Sequence, residues 1–316
     1  MTLACFKRVF IVSMLFVSIS TFFQLVAESF PVSSSGHLAL LNQVWSKFFA
    51  HIPEYQRSFP WADSVFWERY VDLLHVVPLF VIAFYFYPRW RVFLLHPLRT
   101  WRSALKLIGY VVLADGVTAV LYFMRPLLPF SAIPLWVGFS ATALLLFGLL
   151  FIPTGKTFLG KSCLDKNCAC SASSDESHVH TTCSGSACSG EVRLSVKRAV
   201  LLGLFQGLAL LPGLSRFAAT FCGGRYLGFS SRSAFEISFM LQWPLIVAAV
   251  ARSTLFFIHH AADVVVTPVL LVVLSVSAIL GVFGFYLAAR LAHTERLWYC
   301  AFYVAAVALV AAKLSY

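Results

Sequence analysis

The chain has 316 residues, of which 60% are hydrophobic and only 12% are charged, and its mean hydropathy is +0.83. Soluble domains are about 45–50% apolar and about 25% charged, so the composition excludes a soluble domain as well as a disordered chain. Eight cysteines in this length are too few for a disulfide-built secreted domain. The remaining class is a polytopic integral membrane protein.

The net charge of +11 comes from 24 Lys and Arg against 13 Asp and Glu. Such an excess also occurs in nucleic-acid-binding proteins, but here the basic residues lie in short connections between apolar runs, as they do in the cytoplasmic loops of membrane proteins. We therefore expect a lipid bilayer, and no nucleic acid, as a partner.

Long apolar runs predict an all-α fold, because a spanning chain must satisfy its backbone hydrogen bonds internally and these runs are too long for barrel strands. Two further segments, 9–41 and 199–229, begin apolar and are broken midway by polar and small residues, which predicts re-entrant helical hairpins. The six predicted transmembrane helices are 70–87, 104–124, 133–152, 234–257, 266–289 and 297–315.

The order of a hairpin followed by three spans occurs twice. FQLVAESFPVSSS, from Phe23, resembles FQGLALLPGLSR, from Phe205. An odd number of spans separates the two copies, which predicts an inverted-topology repeat with a site where the two hairpins meet. The expected divisions are a first repeat over 1–153, a cytoplasmic Cys-rich insertion over 154–198 and a second repeat over 199–316.

Loop charge predicts the orientation in the membrane. The connections 88–106, 154–198 and 290–296 are rich in Lys and Arg, which places them in the cytoplasm and both termini outside. The basic start of the chain also allows residues 1–27 to be read as a signal peptide, but no small-residue cleavage site follows the apolar stretch.

Polar residues in the first hairpin form a candidate site. A charge at the centre of the bilayer costs about 2.5–3.5 kcal/mol on insertion scales, so it needs a partner or a function. We expect the first helix to end at Pro31 and the following serines to form a turn whose free N–H groups suit an anion. Carboxylate, hydroxyl and imidazole groups together predict transfer to water through a serine or a metal-held water; the alternative is that the serines only cap a helix. The cluster comprises Gln24, Glu28, Ser33, Ser34, Ser35, Gly36 and His37.

The second hairpin contributes Arg216. It follows Pro-Gly-Leu-Ser and precedes small residues, so a helix is expected to restart there. A guanidinium at a helix N-terminus is well suited to phosphate oxygens. The alternative role is that of a counter-ion for Glu28 or Glu236.

The segments QLVAESFPVSSSGHLAL (24–40) and FQGLALLPGLSRFAAT (205–220) resemble the two long motifs of the undecaprenyl-pyrophosphate phosphatases of the BacA type, with weaker matches in VDLLHV (71–76) and FEISFML (235–241). The resemblance implies a bacterial inner-membrane enzyme that removes the terminal phosphate of a C55 isoprenyl diphosphate, recycling the lipid carrier of peptidoglycan synthesis. It further implies bacitracin resistance, a site open to the outer face and a divalent cation, Mg²⁺ or Ca²⁺, and it allows a homodimer.

Carried onto this sequence, the resemblance gives Glu28 and, as a second candidate, Gln24 as cation ligands. Ser34 would attack the terminal phosphorus, or bind the phosphate while water attacks, and His37 would protonate the leaving group or activate water. The implied catalytic residues are Glu28, Ser34, His37 and Arg216, and the implied substrate-binding residues are Gln24, Ser33, Ser35, Gly36, Gly213, Ser215 and Thr220.

Three features depart from the family pattern. Gln24 stands where many members have Glu, which removes one hard cation ligand. Phe217 and Ala218 replace a Ser-Gly pair after the arginine, which removes a hydroxyl. An insertion near 160–192 holds five Cys and two His without a C-x-x-C pair, so it is expected to be an unstructured loop or, as an alternative, a zinc site.

Three rival functions make different demands on the sequence. The lipid-phosphate acid phosphatase superfamily needs a histidine after its arginine, where this chain has Cys222. A transporter or flippase of polyprenyl phosphates would need Glu28 and Arg216 but no nucleophile, and a purely structural subunit leaves the polar cluster unexplained. Phosphate release from a C15 or C55 diphosphate separates the enzyme from the carrier.

Overall fold

A computed structural model describes residues 3–49, 65–95, 97–127, 132–152, 194–260 and 268–315. Within these ranges the chain is helical and contains no strand, which confirms the predicted all-α class. The Cys-rich segment 160–192 lies outside the described residues, so its fold and its zinc site stay predictions. The helices are α1 (Leu3–Ala27), α2 (Ser34–Phe49), α3 (Val65–Leu74), α4 (Val76–Leu95), α5 (Pro97–Met124), α6 (Leu135–Gly148), α7 (Val196–Leu208), α8 (Arg216–Tyr226), α9 (Ser231–His259), α10 (Pro268–His293) and α11 (Cys300–Ser315).

Five helical segments of the described chain are long and apolar enough to cross a bilayer, and they make the protein a multi-pass membrane protein. The remaining predicted span, 133–152, corresponds to the shorter apolar helix Leu135–Phe151. At 1.5 Å per residue that helix is about 25 Å long, below the roughly 30 Å of a bilayer core, so a sixth crossing stays a prediction. The five long segments are Val65–Pro88, Ala104–Leu127, Ser231–His259, Pro268–His293 and Leu297–Ser315.

Both predicted hairpins are two helices joined by a short break. In the first, α1 ends at Ala27, four residues before Pro31, and Ser33 has a left-handed φ of 67°. The Ser33 hydroxyl accepts a hydrogen bond from the Gly36 N–H at 3.2 Å, so it caps α2. Ser34 to His37 are therefore the first turn of a helix. The prediction that the serines and Gly36 form a turn outside a helix was wrong.

The second hairpin has a related break. Gly213 has a φ of 84°, which is accessible to glycine at little cost. The Ser215 hydroxyl accepts from the Ala218 N–H at 3.2 Å and caps α8, so Arg216 is the first helical residue, as predicted.

The two hairpins pack reciprocally against the opposite halves of the chain. Helix α1 packs against α10, the second long helix after the second hairpin, and α7 packs against α5, which follows the first hairpin. The last helices of the two halves, α6 and α11, pack against each other. This exchange agrees with two related halves; their boundaries, the re-entrant character of the hairpins and their orientation in a membrane stay predictions.

Glycines allow the two breaks to touch. A Cβ on Gly36 would lie 2.9 Å from the Gly213 Cα and 2.8 Å from the Phe139 Cζ, and a Cβ on Gly138 of α6 would overlap the Pro212 carbonyl oxygen. Contacts that close leave no room for a side chain. The fold thus joins the two hairpin breaks at one place and brings the polar residues of both into one region.

Candidate active site

The carboxylate of Glu28 is the centre of the first polar cluster. Its Oε2 accepts a hydrogen bond from the Ser34 hydroxyl across the break and another from the Gln24 Nε2 at 3.3 Å. The His75 Nε2 lies 3.7 Å from the other carboxylate oxygen, Oε1. The Glu28 side chain is only 16% exposed, so the hydrogen bonds from Ser34 and Gln24 replace most of the water around the carboxylate.

His75 is the site residue that sequence reasoning missed. The span predicted over 70–87 is interrupted at His75, where α3 ends and α4 begins. Pro78 has no N–H to donate to the Leu74 carbonyl, which removes a helical hydrogen bond at this point. The His75 Nδ1 lies 3.2 Å from the Val71 carbonyl oxygen, an acceptor, which favours the proton on Nδ1. Its Nε2, 3.1 Å from the Gln24 Nε2, is then an acceptor. Two features of the sequence could have identified His75: Pro78, which follows it, and the VDLLHV match, which contains it.

His37 does not occupy the position expected of an acid or a water activator for Ser34. Its Nδ1 lies 2.7 Å from the Ser33 carbonyl oxygen and its Nε2 lies 2.9 Å from the Tyr303 hydroxyl. The ring stacks between Phe23 and Tyr303 and is 6% exposed. Both nitrogens are thus engaged away from Ser34, and His37 joins α2 to α11. The neighbour of Ser34 that can take its proton is Glu28, and a catalytic role for His37 stays a prediction.

Arg216 is exposed at the start of α8, and its guanidinium makes no hydrogen bond or ion pair with another residue of the described ranges. Neither expected counter-ion contacts it, because Glu28 lies with Ser34 and the Glu236 Oε1 accepts from the Arg232 Nε at 3.2 Å. The counter-ion alternative is therefore wrong for both glutamates, and the guanidinium is available to an anion.

Other residues implied as substrate contacts have structural roles. The hydroxyls of Ser33 and Ser215 cap helices, and the buried Thr220 hydroxyl donates to the Arg216 carbonyl at 2.9 Å. Gly36 and Gly213 form the contact between the breaks. These positions shape the site, and direct contact with substrate stays a prediction for them and for the exposed Ser35.

A second buried glutamine lies in the second hairpin. The Gln206 Nε2 donates to the Asp115 Oδ1 at 2.9 Å, which ties α7 to α5. The carbonyl oxygens of both Gln24 and Gln206 are buried and have no hydrogen-bond partner among the residues that the structure describes. The repeated Phe-Gln sequence therefore positions a similar amide in each hairpin.

The residues around Glu28 fit a hard divalent cation. Mg²⁺ and Ca²⁺ prefer oxygen ligands, and Mg²⁺ commonly takes one or two protein ligands together with substrate phosphates. Glu28 supplies a carboxylate, and Gln24 supplies a carbonyl oxygen to which no other described residue donates a hydrogen bond. No group of three or more His, Cys, Asp or Glu that could hold a metal occurs among the described residues, so substrate oxygens would have to complete the coordination.

Glu28 also borders a crevice between α1, α4, α9 and α10. The crevice is narrow, with free space of about 10 Å³, which is room for one water molecule, and its walls are apolar except at three residues. A hydrocarbon chain would fit there only if the surrounding helices moved apart. The crevice is lined by Leu25, Glu28, Ser29, Val77, Pro78, Val81, Ile82, Phe239, Gln242, Ile246, Gly281 and Phe285.

One protein family is similar to this chain over most of its length. The family model described as "Bacitracin resistance protein BacA" matches residues 18–310. "Undecaprenyl-diphosphatase 1" of Corynebacterium jeikeium is 27% identical over 251 residues, which are 75% of this chain and 70% of that protein. "Undecaprenyl-diphosphatase" of Campylobacter jejuni is 45% identical over 60 residues, 19% of this chain and 22% of that protein. "Undecaprenyl-diphosphatase" of Baumannia cicadellinicola is 52% identical over 56 residues, 18% and 20% of the two chains.

Proposed function

Because the chain belongs to the bacitracin resistance protein BacA family, we propose that it is a membrane phosphatase that hydrolyses undecaprenyl diphosphate to undecaprenyl phosphate and inorganic phosphate. This reaction recycles the lipid carrier of bacterial cell-wall synthesis. The observation that carries the proposal is the hydrogen bond from the Ser34 hydroxyl to the Glu28 carboxylate. It pairs a nucleophile with a base, which a lipid carrier would not require.

Glu28 acts as the general base in this scheme. As the Ser34 oxygen bonds to the terminal phosphorus, its proton passes to Glu28, and the bond from that phosphorus to the bridging oxygen breaks. The isoprenyl monophosphate leaves with the bridging oxygen and takes the proton from Glu28. Gln24 holds the carboxylate in place.

Water completes the reaction. Glu28, again ionised, removes a proton from a water molecule that attacks the phosphoserine, and inorganic phosphate leaves as the proton returns to the Ser34 oxygen. Atoms and charges balance, because one water is consumed for one phosphoric anhydride bond broken. The competing route, direct attack by water with Ser34 as a binding group, uses the same base.

Arg216 binds the terminal phosphate. Its five N–H donors suit the oxygens that gain negative charge in the transition state. A cation held by Glu28 and Gln24 would neutralise part of the diphosphate charge.

We further propose that the protein lies in the bacterial inner membrane with this site open to the outer face. Support comes from the distribution of Lys and Arg, which favours cytoplasmic connections at 88–106 and 290–296. The homodimer that the family resemblance allows stays a prediction.

The test is phosphate release by the purified full chain in detergent from farnesyl diphosphate, a C15 substrate, and from the C55 diphosphate. We expect stoichiometric inorganic phosphate, suppression by a chelator and recovery with added Mg²⁺. Binding of the lipid without phosphate release would overturn the proposed phosphatase activity in favour of a lipid carrier. Phosphate release that persists in the presence of a chelator would overturn the proposed requirement for a divalent cation.

A further inference from the structure

His75 faces the Glu28 carboxylate from the break between α3 and α4, outside the first hairpin. Its Nε2 lies 3.7 Å from the Glu28 Oε1 and 3.1 Å from the Gln24 Nε2. The hydrogen bonds that Glu28 accepts from Ser34 and Gln24 both go to its other oxygen, Oε2. The oxygen that faces His75 therefore accepts no hydrogen bond from the described residues.

The backbone fixes the orientation of the His75 ring. Its Nδ1 lies 3.2 Å from the carbonyl oxygens of both Val71 and Asp72. A carbonyl oxygen only accepts hydrogen bonds, so the proton lies on Nδ1 and the lone pair on Nε2. A histidine that binds a metal almost always donates its other ring N–H to a carboxylate, a backbone carbonyl or water, and His75 has this arrangement.

A cation between the His75 Nε2 and the Glu28 Oε1 would bind both lone pairs. Atoms that lie about 2.0–2.2 Å from one cation are about 3–4 Å from each other, and the observed separation of 3.7 Å falls in this range. Gln24 can add its carbonyl oxygen, since a half-turn of the amide exchanges its oxygen and nitrogen. The His75 and Glu28 side chains are each 16% exposed, which leaves the other coordination positions to water or substrate oxygens.

An imidazole nitrogen changes which cation the site prefers. Mg²⁺ and Ca²⁺ bind through oxygen, whereas imidazole is a good ligand for first-row transition metals. Mn²⁺ accepts the carboxylate and carbonyl ligands of Mg²⁺ and is itself a first-row transition metal. It can therefore use Glu28, Gln24 and His75 together.

We propose that His75 is a nitrogen ligand of the cation held by Glu28, and that this site binds Mn²⁺ more tightly than Mg²⁺ or Ca²⁺. The inference rests on the proposed function, which requires a cation at Glu28. Mg²⁺ occupies the same oxygen ligands at higher concentration, so it still supports hydrolysis.

The test is electron spin echo envelope modulation of Mn²⁺ bound to the purified full chain in detergent, without substrate. A nitrogen bonded to Mn²⁺ gives a ¹⁴N modulation, which we expect in the wild-type chain and not in His75→Gln, whose amide offers an oxygen instead. The Kd for Mn²⁺ should rise at least about 10–100-fold in this variant, because the loss of an outer-shell partner alone has that effect. The Kd for Mg²⁺ should change less. His259→Gln, at an exposed histidine of α9, is the matched control.

Mn²⁺ that binds the wild-type chain without a ¹⁴N modulation would overturn the inference, as would a modulation that persists in His75→Gln or a Kd for Mn²⁺ no lower than that for Mg²⁺. His75→Asn serves as a second variant if the glutamine variant does not fold. Failure of the proposed function is distinguishable, because these measurements need no turnover. A chain that shows the modulation but hydrolyses no diphosphate keeps the nitrogen ligand and loses the phosphatase activity, whereas hydrolysis without the modulation removes the nitrogen ligand alone.

Discussion

The Ser34 hydroxyl donates to the Glu28 carboxylate although the break between α1 and α2 separates the two residues. The left-handed backbone at Ser33 turns the chain at this point, so the first turn of α2 faces the end of α1. The second hairpin, which carries Arg216, can approach this turn so closely because residue 36 is a glycine and has no side chain. One local turn and one close contact thus bring the Ser34 hydroxyl, the Glu28 carboxylate and the hairpin that carries Arg216 into the same region.

Glu28→Gln should lower kcat by at least about a hundredfold, because the amide keeps the shape of the side chain but cannot accept the Ser34 proton; general bases typically contribute about 10²–10⁴-fold. The measurement is the steady-state rate of phosphate release from farnesyl diphosphate. Glu68→Gln, which removes an exposed carboxylate on α3, is the control and should stay within about twofold of wild type. Activity of Glu28→Gln within tenfold of wild type would exclude Glu28 as the base.

Arg216→Ala should lower kcat/KM by several orders of magnitude, since it removes charge at the phosphoryl group that is transferred. Arg216→Lys should recover only part of this loss, because an ammonium cannot bind two phosphate oxygens as a planar guanidinium does. Arg125→Ala, at an exposed arginine after α5, is the matched control. If the alanine variant of Arg216 retains more than a tenth of wild-type kcat/KM, the phosphate is bound elsewhere.

Ser34→Ala separates a nucleophile from a binding group. If Ser34 forms a phosphoserine, turnover is lost while substrate affinity changes little, because the missing bond exists only along the reaction path. Acid quenching with substrate labelled in its terminal phosphate should then give labelled wild-type protein and no label in the variant. Ser46→Ala on the same helix is the control, since the Ser46 hydroxyl donates only to the Gln43 carbonyl, at 3.0 Å. Weakened binding with about one per cent residual turnover would assign the attack to water.

Gly36→Ala should reduce both activity and the thermal midpoint of unfolding. The added Cβ would lie 2.9 Å from the Gly213 Cα and 2.8 Å from the Ser33 hydroxyl oxygen, so the two breaks must move apart. Gly116→Ala in α5 is the matched control, because its Cβ would meet nothing within 4 Å and alanine is the better helix former by about 1 kcal/mol. Equal behaviour of the two variants would show that contact between the breaks does not matter.

Composition and periodicity predict much of the fold, because membrane helices need long apolar runs and broken helices need polar and small residues within them. The positions of both breaks and of Arg216 at a helix start were predictable on that basis. The sequence of the shorter helix, 135–151, resembles those of the other spans because it is also apolar. Its smaller helical length is visible only in the structure.

The partners within the site could not be predicted in the same way. Gln206 meets Asp115 from a distant part of the chain, and His75 reaches Gln24 only because a helix stops beside Pro78. His37 is only two residues from Ser35, yet the first turn of α2 directs its ring toward Tyr303. Such partners depend on helix phase and tertiary packing, which sequence spacing alone does not determine.

Hydrolysis of farnesyl diphosphate in ¹⁸O-labelled water, with mass spectrometry of both products, tests most directly whether this chain cleaves at the terminal phosphorus. The account predicts one ¹⁸O atom in inorganic phosphate and none in farnesyl monophosphate, by either the phosphoserine or the direct route, and no products from Glu28→Gln in the same time. Label in farnesyl monophosphate, or bound lipid that yields no products from the wild-type chain, would contradict it.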